Sequence, residues 1–295
     1  MVKELYQSSE AFEVAPQSYY SKLLRQLLQE PAAVVSIAIL AIIIGGAIFA
    51  PLLTNHSPIE GNIANRLLPP GAEGFWLGTD EQGRDMLTRL LYGGRLSLTI
   101  GVIPVVAATI IGTMIGAVAG YVRGFVGAAL MRVMDMSYAF PAILLAIGIT
   151  AALGPGISNS MIAIALVLIP PISRVAESAT LQVTVQEYMQ AARLSGASTA
   201  QIIIYQLLPN IISPVFVYAS GLVGLSIVIG SGLSFLGLGA APPAPEWGYM
   251  LNTLRDAIYA QPFVVVLPGL MIFLTSVAFN ILSDNLHDLF GSKSL

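Results

Sequence analysis

The chain has 295 residues, of which 56% are hydrophobic and 10% charged, and its mean hydropathy is +0.79. Soluble domains carry about a quarter charged residues, so this composition excludes an ordinary water-soluble globule. A net charge of −3 argues against a nucleic-acid partner, and the absence of cysteine excludes disulfides and thiolate metal sites.

No Asp, Glu, Lys or Arg occurs in 31–55, 96–122, 136–173, 194–245 or 257–283. A helix needs about 20 apolar residues to cross a bilayer, and backbone groups in lipid must pair internally. The gaps far exceed the roughly ten alternating residues of a barrel strand. The fold class read from this pattern is an all-α integral membrane protein.

Residues 1–30 read as a polar tail with a helix lying along the membrane surface. Tyr20, Leu23, Leu24, Leu27 and Leu28 share one side of it, with Lys22 and Arg25 opposite. The apolar stretch that follows is a retained span rather than a cleaved signal. It covers about 31–53, with Pro31 in its first turn.

A polar excursion occupies 54–94. Within it Thr79 reads as a helix cap with Gln82 reaching back. Met86, Leu87, Leu90 and Leu91 then share a face, and Gly93-Gly94 ends a short amphipathic helix resting on the membrane or capping the bundle. Asp80, Glu81 and Asp85 stand beside Arg84 and Arg89, which favours loop packing or solvation over a cation site.

The second span is about 96–121; its Gly112, Gly116 and Gly120 let another helix approach closely. The third is about 127–152, kinked at Pro141. Near its inner end Asp135 reads as an i,i+3 ion pair with Arg132; a gating or pore role for Asp135 and Pro141 stands as the alternative. Gly154-Pro155-Gly156 forces a turn. The fourth span, about 157–173, continues as helix toward Leu181, and a polar insert fills 182–210. The fifth span is about 211–236. An excursion rich in Gly and Pro follows, helical over 247–259, before the sixth span at about 263–282. Six spans put both termini and the insert on one side. Eight of the thirteen Lys and Arg residues fall there, which marks that side as cytoplasmic. His56 and His287 belong to polar ends far apart in sequence and suggest no metal site.

The insert carries the most specific chemistry. Over 187–195 the sequence reads as a short helix with Glu187 at its positive end and Arg193 at its negative end. Ala191 and Ala192 leave one side nearly flat, so another protein's backbone can come close. Gly196 is placed to end the helix in a left-handed conformation. Ser198 and Gln201 form a capping box that starts a second helix at once. Ile202, Ile203 and Leu207 give that helix an apolar side, and Pro209 stops it. The alternative is an amphipathic hairpin lying on lipid, which would favour bulky apolar or basic residues over an Ala-Ala face.

The run Gln190-Ala191-Ala192, then Gly196, then Leu208-Pro209 resembles the EAA loop of bacterial ABC-importer permeases. It departs from that pattern in having Gln190 where the family usually has glutamate and Gln206 where it usually has His or Ile. Leu77 to Asp85 with Arg89-Leu90-Leu91-Tyr92-Gly93 resembles the first periplasmic helix of the C-type permease of dipeptide, oligopeptide, glutathione and nickel importers. Ser234 to Gly239 with Pro242 to Gly248 resembles their second periplasmic loop, and Phe279-Asn280 with Asp284-Asn285-Leu286 their last helix. The likeness runs over nearly the whole chain from about residue 20.

The resemblance implies a type I importer permease of six spans: a tail over 1–30 and a permease domain over 31–295. It implies a homologous second permease, two ATPase subunits and an external solute-binding protein as partners, in lipid of the bacterial inner membrane. ATP and magnesium would sit on the ATPase chains, with no cofactor, metal or catalysis in this one. No Gly-rich phosphate loop followed by Lys and Ser or Thr occurs here. The ATPase-docking surface would comprise Glu187, Gln190, Ala191, Ala192, Arg193, Gly196, Ala197 and Ser198. Thr79, Asp80, Arg84, Asp85, Glu246 and Trp247 would meet the binding protein. The solute would be a di- or oligopeptide or a related small molecule. A secondary transporter or channel is the rival reading, and it predicts broken helices, midplane charges and inverted repeats.

Overall fold

The computed structural model describes residues 27–291, which are helical apart from loops, turns and two isolated bridges. The surface helix expected around Tyr20 lies outside them, apart from its last two positions. In chain order the elements are α1 (Pro31–Ile48), a further turn α2 (Ala50–Leu53), α3 (Met86–Val122), α4 (Gly124–Tyr138), α5 (Ala142–Leu153) and α6 (Ile157–Thr184). A hairpin follows, made of α7 (Glu187–Leu194), α8 (Thr199–Gln201) and a π-helical turn Ile202–Leu207 that runs straight into α9 (Leu208–Phe235). Then come α10 (Trp247–Leu254), a 3-10 segment Arg255–Tyr259 and α11 (Pro262–Gly291). Among the described residues five helices are long and apolar enough to cross a membrane. There are six if α4 and α5, bent by 92° at their break, form one span.

The glycine stripe does what its spacing predicts. Gly112, Gly116 and Gly120 lie flat against α6, where added Cβ atoms would come within 3.0 Å of Ile172, 2.6 Å of Ala176 and 2.8 Å of Thr180. Around this pair Ile100, Ile164, Ile172, Val215, Ile227 and Leu233 fill the main core. Ser226 Oγ of α9 donates to the Ile100 carbonyl of α3 at 2.9 Å, so that buried hydroxyl is satisfied.

Two local expectations are overturned at the start of α3. Thr79 does not cap a helix. Its hydroxyl accepts from Leu68 N at 2.8 Å and donates to the Asn65 carbonyl, while Asp85 caps α3 by accepting from Thr88 N at 2.8 Å. Nor do Gly93-Gly94 end anything, because α3 runs through them. They are flat places for the Trp247 indole: Cβ atoms there would sit 3.0 Å and 3.2 Å from its ring. The expected separate amphipathic helix is thus the first turns of one long helix.

Pro209 likewise does not stop a helix. It lies in the first turn of α9, where a missing N–H is tolerated. The π turn before it carries an i→i−5 bond from Leu208 N to the Ile203 carbonyl, which widens the turn ahead of the ring. Asn210 Nδ2 then donates to the Gln206 carbonyl at 2.5 Å.

Candidate functional site

The hairpin folds as its residue types dictate. Gly196 has φ of +80°. Its N–H bonds the Arg193 carbonyl at 3.1 Å and Ala197 N bonds the Ala192 carbonyl at 3.3 Å, the paired bonds of a Schellman ending. Ser198 and Gln201 then close the capping box in both directions, Ser198 N to Gln201 Oε1 at 2.9 Å and Gln201 N to Ser198 Oγ at 3.4 Å.

One side of the hairpin is anchored. Met189 is fully buried among Ala117, Ala179, Ile202, Leu207 and Ile211, with Ala192 and Ala197 beside them. Arg193 stacks over the Tyr121 ring at 4.9 Å, fixing α7 to the end of α3. Arg123 Nη2 donates to Thr184 Oγ1 at 3.0 Å, tying that end to the end of α6.

The other side is open. Glu187, Gln190, Ala191, Gly196 and Ser198 are exposed. So are Leu194 (89%), Tyr205 (72%) and Ile204 (52%), an unusual display of large apolar groups at a polar end of the molecule. Between the arms lies a hollow of about 590 Å³ lined by Tyr188, Ala191, Ala192, Ser195, Tyr205 and Gln206 among others. Sequence reasoning missed Tyr188 and Tyr205 as part of this surface. Both are aromatics in a short polar insert, which was the available signal.

At the opposite end two loops are clamped onto α3. Asp80 Oδ2 lies 2.6 Å from Arg84 Nε and 3.3 Å from Arg89 Nε, while its Oδ1 accepts from Gln82 N and Arg84 N. Arg89 also donates to the Pro58 carbonyl at 2.7 Å. Burial pushes the nearby Glu81 carboxyl above its usual range, against the pull of Arg66. Glu246 accepts from Ser97 Oγ at 3.0 Å, Gly248 N at 3.0 Å and Tyr249 N at 2.8 Å, so it caps α10 from a buried position. Trp247 Nε1 donates to the Leu90 carbonyl at 2.9 Å.

Thr79, Asp80, Arg84, Asp85, Glu246 and Trp247 are all buried. Their side chains therefore do not form the binding-protein contact expected of them. They hold the two loops to the bundle. Replacing Glu246 with alanine should cost about 2 kcal/mol, because Ser97 and two backbone donors lose a buried acceptor. A thermal-unfolding scan in detergent should show a fall of roughly 4–8 °C; an unchanged transition would contradict this cap.

The third sequence-marked place is the break at Pro141, where the chain turns through 92° rather than kinking. Asp135 does not pair with Arg132. It meets Arg174 on α6, which also holds Glu177 at 3.3 Å. The helical i,i+3 spacing suggested a local partner, but the two helices bring a better one across. Both partners are more than a third exposed, so the pair adds under about 1 kcal/mol to stability.

Comparison with known proteins fits this geometry. Residues 112–294 match the family described as binding-protein-dependent transport system inner membrane component, and residues 18–70 match the N-terminal transmembrane domain of oligopeptide transport permease C. The dipeptide transport system permease protein of Alkalihalophilus pseudofirmus is 42% identical over 276 residues, spanning 94% of this chain and 90% of the relative. A probable D,D-dipeptide transport permease of Escherichia coli is 38% identical, spanning 93% and 92%. A glutathione transport permease of Pectobacterium atrosepticum is also 38% identical, spanning 91% and 89%. Among solved structures, the inward-facing MetNI methionine ABC transporter aligns with a TM-score of 0.54 over 68% of this chain and 97% of that chain, at 18% identity, a likeness of fold alone. Since the family match covers the whole bundle from the glycine stripe onward and the relatives run almost end to end, the chain belongs to the binding-protein-dependent inner-membrane permeases, the non-catalytic membrane subunits of ABC importers.

Proposed function

We propose that the hairpin at 187–207 is the lever through which ATPase subunits drive this permease, and that the solute is a di- or oligopeptide. One observation carries the first part. A rigidly bent hairpin, anchored by Met189 and the Arg193–Tyr121 stack, presents small and apolar groups around an open hollow at one end of the bundle. Glu187, Gln190, Ala191, Ala192, Arg193, Gly196, Ala197 and Ser198 form or support that surface. Two ATPases engage the complex, one on this chain and one on a homologous second permease. ATP and magnesium belong to those chains. The hairpin end, with both termini, faces the cytoplasm, and the clamped loops face the solute-binding protein outside. The chain divides into a tail over 1–30 and a permease domain over 31–295. The peptide assignment follows the names of the relatives, whose solutes are dipeptides and glutathione.

Mechanically, nucleotide binding does work on the bundle only if the ATPases contact the hairpin differently in the two states. A stiff connection is needed for that work to arrive. The π turn and α9 supply it, since they form one unbroken helical run from Thr199 to Phe235.

Replacing Gly196 with valine tests the lever. Nothing lies within 4 Å of the added Cβ, so packing is spared. The φ of +80° is costly for a β-branched residue, about 1–2 kcal/mol. The bend should reopen, with peptide uptake falling about tenfold while the complex still assembles and hydrolyses ATP. Undiminished uptake would refute the assignment.

A further inference from the structure

Three observations converge on the elbow between α4 and α5. First, the chain breaks there beside the middle turns of two spans, Val167 to Pro171 of α6 and Tyr218 to Leu225 of α9. Irregular backbone within a membrane is tolerated only where protein covers it or water fills a cavity. Second, the charges of the third and fourth spans gather nearby: Asp135, Arg174 and Glu177, with Arg132 exposed on the same helix as Asp135. Charges facing hydrocarbon are expensive. Third, a hollow of about 390 Å³ opens beside the elbow. Phe140, Leu145 and Leu222 give it apolar walls, and Ser137, Tyr138 and Tyr218 give it polar tips. Among the described residues neither tyrosine hydroxyl makes a hydrogen bond to protein.

A second groove of similar size shows the contrast. It lies between α3, α9 and α11, measures about 380 Å³ and is lined by Val102, Val106, Ile110 and Phe216, while the Thr109 and Ser220 hydroxyls at its wall are bonded back to carbonyls of their own helices. That lining suits hydrocarbon, and the elbow's does not.

We propose that the elbow lines the solute path, and that the Tyr138 and Tyr218 hydroxyls contact the passing solute. The inference rests on the transport reading above. The chemistry fits an amphipathic solute with amide groups, a short peptide: rings and Leu residues meet its side chains, and the hydroxyls can donate to its carbonyls or accept from its N–H groups. The volume falls in the range of small-molecule sites.

The chain has no cysteine, so single substitutions report cleanly. Tyr138→Cys and Tyr218→Cys would be compared with Ile42→Cys, which is 74% exposed on the peripheral helix α1, in vesicles holding the complete transporter. A charged thiol reagent should modify positions 138 and 218 at least tenfold faster than position 42. Saturating dipeptide should slow both reactions. Reaction no faster than at position 42, in vesicles whose unmodified transporter performs ATP-driven dipeptide uptake, would overturn the elbow assignment and leave the transport reading standing. No ATP-driven uptake of any dipeptide by the unmodified assembly would overturn both. Should a cysteine variant fail to assemble, the combined Tyr138→Phe and Tyr218→Phe change keeps the rings. Uptake should then fall at least threefold at an unchanged rate of ATP hydrolysis, and unchanged uptake would overturn the hydroxyl contacts.

Discussion

Replacing Ala191 with arginine should weaken capture of the ATPase subunits at least about thirtyfold while leaving the membrane fold intact. Ala191 is exposed, whereas Met189 on the opposite side of the same short helix is fully buried. The new side chain therefore extends into solvent in the isolated permease, and its effect on folding stays within about 0.5 kcal/mol. In the docked state the same side chain enters a close contact. It brings bulk where a methyl group stood and a charge without a partner, a combination that costs about 2–4 kcal/mol at an interface centre. That corresponds to a loss of roughly 30- to 1,000-fold in affinity. Titrating purified ATPase chain against permease in nanodiscs reads it directly. Unchanged affinity together with unchanged thermal unfolding would mean that the Ala-Ala side is not the docking surface.

Much of this was legible because the decisive signals are local. Missing charge over more than 20 residues has few outcomes in a bilayer. The left-handed Gly196 and the Ser198–Gln201 box are set within six residues, and the structure holds both as their chemistry predicts. The stripe at Gly112, Gly116 and Gly120 announced a close helix crossing, although only the structure identifies α6 as the partner.

What was misread depends on partners distant in sequence. Gly93-Gly94 look like a helix end until the Trp247 indole, over 150 positions later, occupies the flat patch they make. At Asp80, Arg84 and Arg89 the sequence left loop packing and solvation both open, and only the folded loop selects packing. Arg174 lies 39 residues from Asp135, so the local Arg132 was the only partner that spacing could suggest. The break at Pro141 was marked by the proline, but its 92° turn was not, because proline alone fixes a kink and not its angle. A broken helix is also what the secondary-transporter reading predicts. The family match, not the break, decides between them.

The largest loss of stability should come from Gly116→Leu. At this position α3 and α6 touch through backbone: an added Cβ would lie 2.6 Å from the Ala176 Cβ and 2.7 Å from Glu177 N, and closer still to the Ser173 carbonyl. None of these atoms is the far end of a flexible side chain, so relief requires the helices to separate. Separation propagates, since Gly112 and Gly120 also lie close to α6 one turn away on either side, with would-be Cβ contacts of 3.0 Å and 2.8 Å. Ordinary overpacking costs about 1–3 kcal/mol; with backbone on the receiving side we expect about 4–5 kcal/mol, the range reserved for disrupted cores. Gly116→Ala meets the same first clash and should already lose about 2 kcal/mol. Gly148→Ala is the control, because that glycine sits in α5 with nothing within 4 Å of its would-be Cβ. There the gain in helix propensity should leave stability unchanged or raise it by up to about 1 kcal/mol. Unfolding of the three variants in one detergent gives the order directly. If Gly116→Ala proved as stable as Gly148→Ala, the crossing of α3 and α6 would be looser than drawn here, and the rigid bundle that a pulled hairpin must move would lose its main joint.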